Sequence, residues 1–319
     1  MRDYQPIPTT CPTAWTTHYA PDDLRLRDLY AKAKHEQWES ETTLAWRSDV
    51  DPERENFPDQ QLPIFGTDLW AKLGKAEIAQ LRQHSMSWTL SQFLHGEQGA
   101  LLASSQVVDT VPWLDAKLYG ATQVMDEARH VEVYEKYLRE KVELTYPVNP
   151  ELKALLEAIL RDQRWDVKYL GMQILVEGLA LAAFQFVHAF SAEPLLKDLT
   201  KHVMRDEARH VAFGVLSLGE YYRTELSERE RDERVEFTYE ACRLMRDRFL
   251  QKEVWETLGY PVERCLELTL QSPAMQEFRR LLFSRIVPNV KKLGLLTPWL
   301  REKFGELGIL QFESLPADA

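Results

Sequence analysis

Four glutamates and two histidines recur in one fixed pattern. Glu97 lies thirty residues before Glu127 of Asp126-Glu127-Ala128-Arg129-His130-Val131, and Glu177 lies thirty before Glu207 of Asp206-Glu207-Ala208-Arg209-His210-Val211, eighty residues on. Glu and His at i and i+3 share one face of a helix. Carboxylate oxygens with imidazole nitrogens suit iron or manganese. Glu97 sits in Phe93-Leu94-His95-Gly96-Glu97-Gln98-Gly99-Ala100 and Glu177 in Leu175-Val176-Glu177-Gly178-Leu179. A buried charge in such apolar company must be paired or metal-bound. The residues therefore point to a site for two metal ions.

Such a site needs helices that bring the donors level. In an antiparallel hairpin, equal rises of roughly 1.5 Å per residue do so only if the turn lies midway. The midpoints are Pro112 and Ala192, within Thr110-Val111-Pro112 and Ser191-Ala192-Glu193-Pro194. Ser or Thr at a cap and Pro in a first turn predict helix starts there. The fifty residues from Glu127 to Glu177 are broken at Tyr146-Pro147-Val148-Asn149-Pro150 and then run amphipathically from Glu151 to Arg161. They predict one long crossover between the hairpins.

Around this core, residues 1 to about 21 read as an irregular arm and Asp22 to about Glu41 as a short helix, while Trp46 to Pro63 read as a loop. Ser227-Glu228-Arg229-Glu230 is a capping box opening a helix to about Leu258. Further helices are expected from Pro273 to Lys292 and Pro298 to Leu307, packed on the bundle, covering its open end or forming a homodimer interface. The organisation is a single all-α domain over 1–319. It comprises an arm and helix (1–66), the four-helix core (67–224) and additional C-terminal helices (225–319).

Glu, Asp-Glu-Ala-Arg-His, Glu, Asp-Glu-Ala-Arg-His resembles the ferritin-like di-iron carboxylate superfamily, which includes the ribonucleotide reductase small subunit and bacterial multicomponent monooxygenases. The resemblance covers about 95 to 215 and implies a four-helix bundle with one long crossover. It also implies that Glu97, Glu127 and His130 serve one iron and Glu177, Glu207 and His210 the other, with Glu127 and Glu207 bridging and manganese an alternative in one position. Asp126 and Asp206 match aspartates that hydrogen-bond the opposite motif's histidine, fixing its tautomer. Arg129 and Arg209 would neutralise that anionic layer.

Leu44-Ala45-Trp46-Arg47-Ser48-Asp49-Val50-Asp51 resembles the reductase segment bearing an electron-relay tryptophan, so Trp46 is expected to reach Asp206 and then His130. Tyr134, four residues after His130, stands where that subunit keeps its radical tyrosine. Yet the last tyrosine of the chain is Tyr260, which leaves no C-terminal tyrosine to carry a radical onward. Leu181 replaces the pocket threonine usual in multicomponent hydroxylases, and Ala100 replaces the valine of the crosslink-forming ligand-binding oxidases. Gly96, Gly99, Ala100, Gly178 and Leu181 are the expected pocket beside the metals.

The other histidines fall away from the ligand faces; His188 shares one with Glu177 but lies three turns off, roughly 16 Å. The net charge of -11 argues against nucleic acid or an anionic membrane surface as partner. Cys11, Cys242 and Cys265 form no CxxC pair, and the N-terminus lacks a secretory apolar stretch, so a cytoplasmic address is expected. The apolar run Ile174 to Phe190 contains Glu177, Gln185 and His188 and reads as a buried helix, not a membrane span. The leading expectation is a di-iron oxygenase or oxidase that takes O2, a small or medium apolar substrate and electrons from an external donor or reductase. The alternatives are a ferroxidase or iron-handling protein and a radical-generating subunit.

Overall fold

The computed structural model describes residues 5–50 and 57–317. Among them there is no β-strand. After an irregular arm, α1 (Leu24–His35) starts at Asp23, whose carboxylate accepts from the Arg25 amide. The chain then makes a single turn at Ser40–Thr43, and short 3-10 turns at Asp59–Gln61 and Trp70–Lys72 precede α2 (Lys75–Thr110). Part of the loop expected from Trp46 to Pro63 (residues 51–56, including Asp51) lies outside the described residues.

α2 and α3 (Leu114–Tyr137) form the first hairpin, and α5 (Trp165–Phe190) and α6 (Pro194–Thr224) the second. Both turns fall where the ligand spacing requires. Their capping differs from expectation, because Thr110 ends α2 and Pro112 precedes α3 rather than opening it. At the second turn the cap is Glu193, whose carboxylate accepts from the amides of Leu195 and Leu196, instead of Ser191. A carboxylate serves well there, since it meets both free amides and the positive end of the helix dipole.

The crossover descends from α3 through a π-helical turn, Leu138–Val142, closed by Glu143 at φ 54°. It returns as α4 (Pro150–Arg161), capped by Asn149. α5 carries a second π-helical segment, Leu170–Val176, directly before Glu177. Periodicity could not reveal this π segment, because every residue from Leu170 to Val176 is buried and no polar position marks the inserted residue; such insertions recur at functional sites. The segment packs closely on α6: a Cβ on Gly214 would stand 2.7 Å from Gln173 Cβ. Glycine at 214 is what lets the two helices meet.

The C-terminal third corrects two expectations. α7 (Glu228–Asp247) has the foreseen capping box, but the helix ends there. A tight turn at Arg248–Leu250 and a left-handed Gln251 (φ 53°) separate it from α8 (Lys252–Leu258). The span Pro273 to Lys292 is likewise two helices, α10 (Pro273–Leu282) and α11 (Ile286–Lys292), preceded by an unforeseen α9 (Val262–Gln271). α12 is Pro298–Glu306. α10 packs on α5 and α8 on α2, so these helices close over the bundle. One hydrophobic cluster runs from Leu26 to Ile309. α5 is the one described helix long and apolar enough to cross a membrane, and 83% of its most apolar window is buried inside the protein.

Candidate metal centre

The bundle brings Glu97 from α2, Glu127 and His130 from α3, Glu177 from α5, and Glu207 and His210 from α6 into one buried cluster. Each is at most 5% exposed. Their ligand atoms converge in two groups. Glu97, Glu127, His130 and Glu207 approach one another within 4.8 Å, as do Glu127, Glu177, Glu207 and His210. Glu127 and Glu207 are common to both, the two positions expected to bridge.

The imidazoles turn Nδ1 inward. His130 Nδ1 lies 3.3 Å from Glu97, 3.4 Å from Glu127 and 3.2 Å from Glu207, and His210 Nδ1 lies 3.1 Å from Glu127 and 3.5 Å from Glu207. Nε2 points outward to the opposite motif's aspartate, His130 to Asp206 at 3.2 Å and His210 to Asp126 at 3.4 Å. Aspartates at Nε2 hold that proton and leave the Nδ1 lone pair for the cluster.

A charged layer supports this exchange. Arg129 pairs with Asp126 and, at 3.3 Å, with Asp206, while Arg209 pairs with Asp206 at 2.5 Å and Asp126 at 3.4 Å. Two aspartates thus meet two guanidiniums inside the protein. The chain leaving α1 seals the layer: Gln37 donates to Asp126 at 2.8 Å and accepts from Arg129 at 2.8 Å, and Glu36 accepts from Arg209 at 2.6 Å.

Trp38 completes it and corrects a sequence expectation. Its indole donates to Asp206 Oδ2 at 2.7 Å, beneath the Arg129 guanidinium. Trp46 does not reach Asp206; its indole donates to the Ser40 carbonyl at 2.9 Å and its ring lies under Lys136. The contact depends on where the strand of chain after α1 meets the bundle, and no local pattern encodes that.

Gln123 was also missed. Fully buried one turn before Glu127, it donates to Glu127 at 3.1 Å and to Glu177 at 2.7 Å. Its i−4 spacing from Glu127 was the available signal. The corresponding residue before Glu207 is Val203, so the two halves of the cluster differ. Around Glu97 the walls are aromatic: Tyr134 is buried and stacks on Phe184 (centroids 5.8 Å), and Phe93 meets both edge-on.

A narrow cavity, with a volume of only about 20 Å³, opens onto Glu97, Glu177 and Glu207. Gly96 and Ala100 line it as expected. Gly99 instead packs on Leu156 of the crossover and Gly178 on Ile286, and Leu181 is buried away from the cavity. Their places are taken by Phe93, Val176, Ala180 and Phe184, with Arg248 at the edge. The remaining histidines have other uses. His188 and His95 bond the Lys197 and Tyr146 carbonyls, His84 the Tyr146 hydroxyl, and His202 packs at a tilt against Trp38.

The donor atoms fit a metal pair. Glu127 Oε2, Glu177 Oε2, both oxygens of Glu207 and His210 Nδ1 are buried without a hydrogen-bond partner. Leaving so many polar atoms unsatisfied is costly unless a cation meets them. Burial pushes the Glu97 and Glu177 carboxyls well above the usual range, and neighbouring carboxylates push them further. This is the electrostatic mark of an anionic cluster assembled for positive charge.

The family model for p-aminobenzoate N-oxygenase AurF matches residues 22–294. The chain belongs to that family. It is therefore a di-iron oxidoreductase of the oxygenase and oxidase class that takes O2 and a substrate. No curated protein sequence matches it. Its fold is similar to that of the R2-like ligand-binding oxidase with aerobically reconstituted metal cofactor after photoconversion, at a TM-score of 0.55 and 16% identity. That match covers 84% of this chain and 92% of the other. A single-substitution variant of that oxidase, with an anaerobically reconstituted Mn/Fe cofactor, matches at a TM-score of 0.51 and 17% identity over the same shares. At such identity the likeness speaks for the ferritin-like fold alone.

Proposed function

We propose that the chain is a cytoplasmic oxygenase whose cluster holds two iron ions and oxidises an amine or another group on a largely apolar, aromatic substrate. Glu97, Glu127, His130 and Glu207 would hold one ion and Glu127, Glu177, Glu207 and His210 the other. The observation that carries this reading is the convergence of orphaned, buried ligand atoms in two groups that share Glu127 and Glu207. Iron bound there supplies two-electron reduction of O2. The same oxygen and nitrogen donors accept manganese in one position.

The protein's own residues do the rest. Asp206 and Asp126 keep the outer imidazole protons, and Arg129 and Arg209 balance their charge. Phe93, Val176, Ala180 and Phe184 exclude water and orient an apolar ring beside Glu97 and Glu177. Tyr134 packs behind that wall, stacked on Phe184 and edge-on to Phe93, and burial raises its pKa well above the usual 10. The test is ferrous loading without air, followed by O2 and an arylamine. Two iron ions per chain and O2 uptake that requires the amine are expected; hundreds of ions per particle would establish iron storage instead.

Electrons from an external donor would enter by Trp38, whose indole is joined through Asp206 to His130. Trp38→Phe keeps the ring and removes the hydrogen bond. Reduction of the oxidised metals should slow at least tenfold while the metal content stays at two, as measured by stopped-flow bleaching of the oxidised centre. Trp46→Phe should leave the rate unchanged; a reversed pattern would place the path through Trp46 after all.

A further inference from the structure

A second pocket lies against the far side of Phe93. Its volume is about 50 Å³, and its apolar walls include Met86 and Phe93 of α2, Phe186 of α5, Phe249 of the turn after α7, and Met275 and Phe278 of α10. Two polar side chains reach the same pocket, Ser85 and Gln251, which are 5% and 8% exposed. Ser85 Oγ and Gln251 Oε1 are buried with no hydrogen-bond partner among the described residues. A buried donor or acceptor left unmet is costly. A ligand that meets both removes that cost.

The fold sets this pocket end to end with the metal cavity. On α2, Thr89 lines the outer pocket, Phe93 lines both and Glu97 lines the inner cavity, at positions i, i+4 and i+8 of one helical face. α5 runs the other way and repeats the order, with Val187 and Ala183 outside and Phe184 and Ala180 inside. Phe93 is the one described side chain common to the two. The inner cavity, at about 20 Å³, is far below the roughly 150 Å³ that receives a benzene ring in an engineered protein core. A ring reaches the metals only if a wall moves. Phe93 has the outer pocket behind it, where Met86 and Met275, unbranched and flexible, make way for its ring or for an incoming one.

We propose that the outer pocket is a second binding site, for a neutral aromatic molecule carrying a hydrogen-bonding group, and that Phe93 is the gate between it and the metals. Phenyl and thioether walls take the ring. No free charge faces it, because Arg82, the one charged residue of the lining, is paired with Asp59 at 2.6 Å. Gln251 Oε1 accepts a hydrogen and Ser85 Oγ gives or takes one, so a phenolic hydroxyl or an arylamine nitrogen suits them. The outer site stands on its own contacts, and the passage to the metals rests on the ligand set proposed above.

The experiment uses the full-length chain loaded with manganous ions, so that nothing turns over, with 4-fluorophenol as probe and 4-fluorotoluene as the control that lacks the hydroxyl. By calorimetry, Ser85→Ala and Gln251→Asn should each bind the phenol roughly 3- to 10-fold more weakly than the parent, the range for one hydrogen bond between neutral groups, with toluene affinity unchanged. Asn tolerates the left-handed backbone at 251 and draws the amide back. The gate is read by fluorine relaxation in the manganous protein against the same protein loaded with zinc, since the paramagnetic effect rises steeply as the fluorine nears the metals. Phe93→Ala should relax the bound fluorine severalfold faster than the parent, and Phe93→Tyr, which keeps the ring, should match the parent. The site is overturned if the parent does not bind the phenol or if both polar variants bind it as the parent does. The gate is overturned if parent and Phe93→Ala relax the fluorine alike. Failure to hold two ions sinks the ligand assignment instead, and calorimetry on the metal-free chain still decides the outer site.

Discussion

Glu127→Ala removes the two-metal site, and so does Glu207→Ala. Each carboxylate belongs to both donor groups, so one substitution takes an oxygen from each ion at once. Glu127 also faces both imidazoles, 3.4 Å from His130 Nδ1 and 3.1 Å from His210 Nδ1, which would be left without a shared counter-charge. Glu97→Ala is different, since Glu97 belongs to one group only. Elemental analysis after ferrous loading should give two iron ions per chain for the parent, about one for Glu97→Ala, and fewer than one for Glu127→Ala and Glu207→Ala. Substrate-dependent O2 uptake should fall by more than about a hundredfold in all three, exceeding the 10- to 100-fold typical of residues behind the ligands. Misfolding is separable from lost ligation: the metal-free variants should keep the parent's helical circular dichroism and a cooperative thermal melt while losing metal. Two ions in either bridging variant would refute the assignment.

The cluster was legible in the sequence because its chemistry is periodic. Glu and His three apart declare a face, the thirty-residue interval locates each turn, and the fifty-residue gap demands a crossover. Pro112 and Ala192 do lie in the observed turns. What escaped depends on interactions between distant segments. Trp38 and Trp46 are both buried tryptophans in the same stretch, and only the path of the chain over the bundle decides which indole meets Asp206. The π segment before Glu177 leaves the apolar pattern intact, as every residue from Leu170 to Val176 is buried. Gly99 and Gly178 were assigned to the pocket because small residues make space, but that space is filled by Leu156 and approached by Ile286. Arg248 gave no signal, since an arginine inside the helix expected to run to about Leu258 reads as another exposed charge, and only the structure ends that helix at Asp247. The difference between the halves of the cluster follows from such residues: Gln123 opposes Val203 and Tyr134 opposes Gly214, in motifs otherwise printed twice.

Metal should stabilise the protein more as pH rises, and the metal-free protein should do the reverse. In the metal-free cluster, burial drives the Glu97 and Glu177 carboxyls well above their ordinary 4.5, reinforced by neighbouring carboxylates. Burial also acts to lower His130 and His210, but the surrounding carboxylates, Glu97 for the first and Glu127 for the second foremost, outweigh it and hold both well above 6.5. All four groups bind protons more tightly folded than unfolded. Their contribution to stability is therefore complete below the unfolded values and is lost as pH climbs towards the folded ones. Asp126, Asp206 and Glu127 shift the other way, held low because the facing histidines overcome the effect of burial, and their contribution is lost only in acid. Between pH 6 and 8 the first set governs, so the metal-free melting temperature should fall. Metal displaces those protons, and its affinity should rise by about tenfold per pH unit for each proton released. Thermal melts of metal-free and manganous protein at pH 6, 7 and 8 test this directly, the gap between the two widening with pH. A gap that stays constant or narrows would mean that the carboxylates and imidazoles of the cluster are not the groups that metal deprotonates.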